Sequence, residues 1–260
     1  MKRKESVTSM PRFDGKWILI TGAAGGMGLA FAKRFAAEGA SLLLSDIAAD
    51  GLEQTANTVR KDGAVCHTVI ADLSVESGTM ALASAARAHC SQLDALINNG
   101  GIAYGEITHA FEGLSQSRWL HFLSVNTLAP LALAQALRPL LAAASGAVIN
   151  ISSMASFMPG TAYGVTKAAL NAITYGMASA FGADGIRVNA IAPGIMETSA
   201  AVANLPPETF ERVQKQQMLN RRGLATDIAD LAAFLASDDA RFISCEIISC
   251  DAGNRMRGWR

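Results

Sequence analysis

Thr21-Gly22-Ala23-Ala24-Gly25-Gly26-Met27-Gly28 decides how this chain folds. The segment follows a short apolar run, Trp17–Thr21, and opens a stretch, 26–38, whose apolar residues recur at helical spacing. A glycine-rich turn between a strand and a helix lets backbone N–H groups and the positive helix end meet a pyrophosphate. Gly22 allows the tight turn. Gly26 and Gly28 allow a ligand and the helix to come close. Glycines alone also make ordinary turns, so the rest of the chain must supply the context.

Working outward, strand-like and helix-like stretches alternate. Strands are predicted at Trp17–Thr21, Ser41–Asp46, 64–71, 93–98, 147–152, 186–191 and 246–249, with helical stretches between most of them. That alternation demands parallel strands joined by right-handed crossovers. The expected fold class is α/β: a single doubly wound Rossmann domain, with a mainly parallel seven-stranded sheet and helices on both faces. No repeat or linker interrupts it. Residues 1–14 read as a solvated tail and 15–260 as the domain, with a lid over the ligand crevice at about 197–223 around Pro206-Pro207.

Composition narrows the function. Half of the 260 residues (50%) are hydrophobic, enough for a sizeable core, and 22 basic residues balance 22 acidic ones, so no basic surface argues for nucleic acid. The apolar stretch 128–144 is interrupted by Pro130, Gln135, Arg138 and Pro139 and reads as too short for a membrane span. Cys66, Cys90, Cys245 and Cys250 form no CxxC pair, as expected of reduced thiols in a cytoplasmic protein. His67, His89, His109 and His121 are scattered, and no metal site is expected.

Two further features sharpen the glycine turn. Asp46 ends the second strand, where a carboxylate accepts hydrogen bonds from both adenosine ribose hydroxyls and repels a 2′-phosphate. No Arg or Lys stands in the glycine loop or directly after Asp46, so NAD is expected rather than NADP. Tyr163-Gly164-Val165-Thr166-Lys167 places a phenol and an ammonium four apart on one helix face, and a nearby cation should lower the tyrosine pKa. A phenol so tuned exchanges a proton with an alcohol.

With these residues in place, the chain resembles the short-chain dehydrogenase/reductase family over about 15–254. The family's landmarks recur in order: TGxxxGxG at 21–28, Asp72 in Ala71-Asp72-Leu73, Asn98-Asn99-Gly100-Gly101, Asn126, Ser153, Tyr163 and Lys167, Arg187-Val188-Asn189, Pro193-Gly194, Thr198 and Asp251-Ala252-Gly253. The resemblance implies cofactor contacts from Gly22, Gly25, Gly26, Met27 and Gly28, from Asp46 and Ile47, and from Asp72 and Leu73. Further contacts are implied for Asn98, Asn99 and Gly100, for Tyr163 and Lys167, and for Pro193, Gly194, Ile195 and Thr198. It also implies a catalytic set: Tyr163 as acid/base, Lys167 lowering its pKa and holding the nicotinamide ribose, Ser153 polarising the substrate oxygen, and Asn126 holding a water on a proton path to Lys167.

Two departures stand out. Gly100 replaces the family's usual alanine. Only ten positions separate Ser153 from Tyr163, where relatives commonly have a longer loop, so Ser152 and Ser156 remain alternatives to Ser153. The residues expected near the nicotinamide, Ile102, Tyr104, Met154, Phe157, Met158, Met196, Phe210 and Met218, are mainly apolar. The expected activity is therefore NAD(H)-dependent interconversion of a hydrophobic secondary alcohol, cyclic or aromatic, and its ketone. Arg118 and Arg221 would argue otherwise if they faced the pocket. The alternatives are an NADPH-dependent 3-oxoacyl-thioester reductase and a non-catalytic nucleotide-binding regulator. Two long helices, about 117–143 and 161–182, carry apolar or small residues on more than one face, and the resemblance implies a homodimer or homotetramer through them.

Overall fold

The computed structural model describes residues 11–254 except 109, 110 and 112. Seven strands, β1 (Trp17–Thr21), β2 (Ser41–Asp46), β3 (Cys66–Ile70), β4 (Ala95–Asn98), β5 (Ala147–Ile151), β6 (Arg187–Pro193) and β7 (Ile247–Cys250), form one sheet in the order β3-β2-β1-β4-β5-β6-β7. Every pairing is parallel. The sheet is thus the one expected, and parallel throughout.

Side-chain alternation splits the interior in two. Ile18, Ile20, Leu42, Leu44, Ile149 and Ile151 face one side, against Phe31 and Phe35 of α1 (Gly26–Ala37), Leu52 of α2 (Ala49–Lys61), and Ile228 and Leu235 of α9 (Ala225–Ala236). Leu19, Leu43, Leu96 and Val148 face the other side. There they meet Leu82 of α3 (Glu76–His89), Leu137 and Leu141 of α5 (Ala129–Ala144), and Met177 of α6 (Ala162–Phe181). Strands buried on both faces must be apolar at nearly every position, which is why they read as unbroken runs. The outward turn of the strand order falls between β1 and β4, so a crevice opens at their C-terminal ends.

The tail ends earlier than expected. Phe13 is fully buried and meets Phe35 edge-on with ring centroids 5.0 Å apart, and Arg12 donates to Glu38 at 2.7 Å. Residues 1–10 lie outside the described residues.

The long helix expected at about 117–143 is divided. α4 (Gln116–Leu123) runs into a wide π turn, Ser124–Leu128, and then into α5. Pro130 in the first turn of α5 accounts for the division. A proline has no N–H to give, and its ring collides with the carbonyl four residues back, here that of Asn126. Such widened turns recur at functional sites. The continuous helical run Gln116–Ala144, 29 residues long, is long and apolar enough by composition to cross a membrane. The run includes α4 and the π turn as well as the stretch 128–144 on which the sequence expectation rested. In the structure Leu133, Ala134, Leu137 and Leu141 from this run are core residues.

Candidate active site

The glycine turn binds β1 to its neighbours through backbone contact. Gly22 has φ +66, and a Cβ there would lie 2.7 Å from Cα of Gly100. A Cβ on Gly28 would lie 2.1 Å from the carbonyl oxygen of Gly22, so Gly28 lets α1 close on the turn. Thr21 Oγ1 accepts from the Asn99 and Gly100 amides at 3.1 and 2.9 Å, and the Asn99 side chain donates to the Thr21 and Gly22 carbonyls at 3.0 and 2.9 Å. These bonds hold the ends of β1 and β4 together at the crevice.

Helix α1 starts at Gly25 with no side-chain cap and no acidic residue in its first turn. The N-termini of α4, α6 and α7 (Ser199–Asn204) are capped by Ser115, Thr161 and Thr198. α2, α3 and α8 (Pro207–Gln216) also lack a side-chain cap, so what sets α1 apart is that its uncapped first N–H groups open on the crevice. A Cβ on Gly25 would meet nothing within 4 Å. An uncapped helix end with open space at its first glycine fits a pyrophosphate. Asp46 supports the same fit: Oδ2 accepts from the Ala24 amide at 2.9 Å and Oδ1 from the Ala48 amide at 3.0 Å, so the carboxylate is held at the crevice. Asp72 Oδ1 accepts from the Ser74 amide at 2.8 Å, and hydrogen bonding with Ser74 holds its pKa below the usual range.

A cavity of about 890 Å³ runs from this turn to the C-terminal ends of β5 and β6. Gly22, Gly25, Gly26, Met27, Asp46, Ile47, Asp72, Leu73, Asn99 and Gly100 line one part of it. Ser153, Tyr163, Lys167, Pro193, Gly194, Ile195 and Thr198 line the other. Lys167 is the one Lys or Arg among the described lining residues.

Tyr163 and Lys167 lie one turn apart on α6. The Lys167 ammonium donates to the Ile151 carbonyl at 2.7 Å and stands 5.9 Å from the Tyr163 ring centroid. Burial brings its pKa down to about 8. The Tyr163 phenol moves opposite to the sequence expectation: burial pushes its pKa up to about 12, and hydrogen bonding with Ser153 only partly offsets this. Desolvation is the largest cause, and the Lys167 ammonium, 5.9 Å from the ring centroid, does not reverse it. Ser153 is the serine whose hydroxyl faces the phenol. Ser152 Oγ donates to Asn171 Oδ1 at 2.6 Å, and Ser156 Oγ donates to the Ser153 carbonyl at 2.6 Å, so both alternatives are committed elsewhere.

Three expected site residues, two cofactor contacts and Asn126 of the catalytic set, lie away from the cavity surface. Asn98 is buried: its Nδ2 donates to Asn150 Oδ1 at 2.8 Å, and Asn150 Nδ2 donates to Thr174 Oγ1 at 2.9 Å. It crosslinks β4, β5 and α6 and does not line the cofactor crevice. Gly28 acts by packing. Asn126, fully buried in the π turn, accepts from the Ile102 amide at 2.7 Å and donates to the Ile102 carbonyl at 2.9 Å. It fixes the segment that passes the cavity.

The substrate-side list divides similarly. Ile102, Tyr104, Met154 and Met196 line the cavity. Phe157, Met158, Phe210 and Met218 do not. Met158 is exposed, Phe210 is buried beneath the Arg222 guanidinium, and Met218 packs beside Gly253. Arg118 pairs with Glu106 at 2.8 Å and Arg221 makes two 2.8 Å bonds to Asp227; neither lines the cavity. The sequence reading missed Thr108, His121 and Val125, which line it, as does Leu205 from the expected lid segment. His121 and Val125 are four apart on the helical run that carries Asn126, a spacing that could have exposed them. His67 and His89 stack with centroids 4.1 Å apart, outside the cavity lining, and His109 lies outside the described residues.

The chain is similar to known oxidoreductases over nearly its whole length. A family model described as enoyl-(acyl carrier protein) reductase matches residues 22–255. Cis-4-hydroxycyclohexanecarboxylate dehydrogenase of Sinomonas cyclohexanicum is 34% identical over 245 residues, 93% of this chain and 97% of that protein. The 2,5-dichloro-2,5-cyclohexadiene-1,4-diol dehydrogenase of Sphingobium indicum is 34% identical over 247 residues, again 93% and 97%. The structure of a 7α-hydroxysteroid dehydrogenase complexed with NADH and 7-oxo glycochenodeoxycholic acid superposes with TM-score 0.87 at 31% identity, covering 94% of this chain and 96% of that one.

Proposed function

The chain belongs to the short-chain dehydrogenase/reductase family, and from that premise we propose that it interconverts a hydrophobic cyclic secondary alcohol and its ketone with NAD(H). The observation that carries the reading is the meeting of Ser153, Tyr163 and Lys167 in the same cavity as the uncapped start of α1.

A bound nicotinamide dinucleotide supplies the hydride acceptor or donor. The chain supplies placement and proton control. Ser153 holds the substrate oxygen, and Tyr163 takes the alcohol proton in oxidation or returns it in reduction. Lys167, its pKa already drawn down to about 8, provides a proton store one helical turn from Tyr163. Asn126, bonded to both the amide and the carbonyl of Ile102, holds that cavity-lining residue in place.

Asp46 supports NAD over NADP. Both carboxylate oxygens are anchored, and among the described residues no lining cation stands near it to receive a 2′-phosphate. The same scarcity of cations disfavours an acyl-carrier thioester, whose phosphate would lack a partner. Ile102, Val125, Met154, Met196 and Leu205 give the cavity an apolar wall, which suits a ring such as those named for the relatives. Assaying secondary alcohols and ketones by absorbance with NAD(H) and NADP(H) tests the proposal. Turnover of cyclic alcohols with NAD supports it; a preference for NADP, or for acyl thioesters, overturns it.

A further inference from the structure

Helix α6 carries a third residue in register with its reactive pair. Tyr163, Lys167 and Asn171 recur at spacing four and so share one face. We propose that Asn171 is the positioning residue that sets Ser153 against Tyr163, through a one-way hydrogen-bond chain from Ser152 to Asn171 to Ser156 to Ser153. The proposal rests on the functional reading above.

Each link has a defined direction. Ser152 Oγ donates to Asn171 Oδ1 at 2.6 Å, Asn171 Nδ2 donates to Ser156 Oγ at 2.8 Å, and Ser156 Oγ donates to the Ser153 carbonyl at 2.6 Å. Asn171, Ser152 and Ser156 are 9%, 2% and 6% exposed, so water does not replace a lost partner cheaply. An amide is suited to the central place because it accepts at one end and donates at the other.

The chain acts on Ser153 from its backbone side. The Ser153 carbonyl also accepts from the Ser156 amide at 3.0 Å, and its Oγ accepts from the Ala155 amide at 3.2 Å. With that acceptance fixed, the single Ser153 O–H is left to point into the cavity, toward the phenol oxygen or, in its place, a substrate oxygen. The loop from Ser153 to Tyr163 is short, and Asn171 ties it to the helix that also carries Tyr163. The distance from hydroxyl to phenol is thereby set within one packed unit. Asn171 touches no reacting atom; it acts through Ser153.

Asn171→Asp tests this most directly, because aspartate keeps the shape and the acceptor but loses the donor to Ser156. Secondary-alcohol turnover should fall about tenfold to a hundredfold, the range expected when a reacting group is slightly misplaced, while NADH affinity, read by fluorescence, stays unchanged. The rising limb of kcat/KM against pH should move to higher pH, because hydrogen bonding with Ser153 holds the Tyr163 phenol down. On a Ser153→Ala background the substitution should have no further effect on kcat. If Asn171→Asp does not fold, Ser156→Ala removes the last link and carries the same expectations. Lost thermal stability with unchanged kcat and pH profile overturns the proposal, as does a full independent loss on the Ser153→Ala background. Tyr163→Phe separates the two levels. If it is fully active, the functional reading falls and this inference with it. If it is inactive while Asn171→Asp is fully active, only this inference falls.

Discussion

Lys167 Nζ and the carbonyl oxygen of Ile151 are 2.7 Å apart, so the buried ammonium of α6 is bound to the last residue of β5. That bond does not fully offset the lost hydration, since the folded pKa is about 8 against an ordinary 10.5. Below pH 8 both folded and unfolded states carry the proton, and burying it costs about 3 kcal/mol. Between pH 8 and 10.5 the unfolded chain holds more protons than the folded one, so stability rises with pH. Tyr163, with its phenol raised to about 12, works the other way and lowers stability between pH 10 and 12. Lys167→Met should therefore be more stable than the parent at pH 7, with the advantage shrinking toward pH 10. Urea denaturation without cofactor at both pH values measures this. A variant less stable at pH 7 would show that the Ile151 bond outweighs desolvation.

Tyr163→Phe removes one hydroxyl from the cavity wall and should leave folding and NADH binding nearly intact. Turnover should fall at least about a hundredfold, as for loss of a general acid/base. In the parent protein, alcohol oxidation should climb with pH across the alkaline range, because the phenol starts from about 12. A flat profile would remove the phenol from the proton transfer.

Asp46→Ala frees the Ala24 and Ala48 amides of their carboxylate and removes the anion from the crevice. NAD efficiency should drop and its margin over NADP should narrow. Catalytic efficiencies for both cofactors in both proteins decide this. An unchanged ratio would place selection elsewhere in the crevice.

Leu120, Leu128 and Tyr175 are 57%, 52% and 48% exposed on the run from α4 to α5 and on α6. Large exposed apolar side chains on helices that pack against one another favour a partner surface. Light scattering should report a dimer or tetramer at micromolar concentration, and Leu128→Lys should shift it toward monomer. A parent that is already monomeric contradicts this.

The segment 197–223 contains α7 and α8 (Pro207–Gln216). Its ends are fastened: the Glu197 amide donates to the Gly223 carbonyl at 2.8 Å and the Met218 amide to the Ala252 carbonyl at 2.8 Å. Few residues between them are buried, Phe210 and Ala201 among them. If the segment closes over bound ligands, its hydrogen exchange should slow on adding NAD and substrate more than that of β4 and β5. Unchanged protection would make it a fixed helix pair.

Much of this was legible because it is local. The strands announced themselves through runs such as Ile18-Leu19-Ile20 and Leu42-Leu43-Leu44, which are apolar on both faces. The glycine turn and the Tyr163–Lys167 spacing need only neighbouring residues. What depended on distant partners was not legible. Asn98 turns inward because its register partner on β5 is another asparagine, Asn150. The direction of the Tyr163 shift depends on how deeply tertiary packing buries it, and the choice of Ser153 on where Asn171 stands. Phe13 looked like part of a tail until α1 presented Phe35 to it.

The strand order has a temporal consequence. β1 is made first yet sits inside the sheet, third from one edge, and its second neighbour, β4, begins at Ala95. At roughly 5–20 residues per second, a ribosome takes several seconds to reach that point. Until then the Ile18-Leu19-Ile20 edge can pair with β2 alone, and its other side is an open template for any strand nearby. The nascent chain is thus open to wrong pairing at a strand that later lies inside the sheet, and that vulnerability ends when β4 is laid against it.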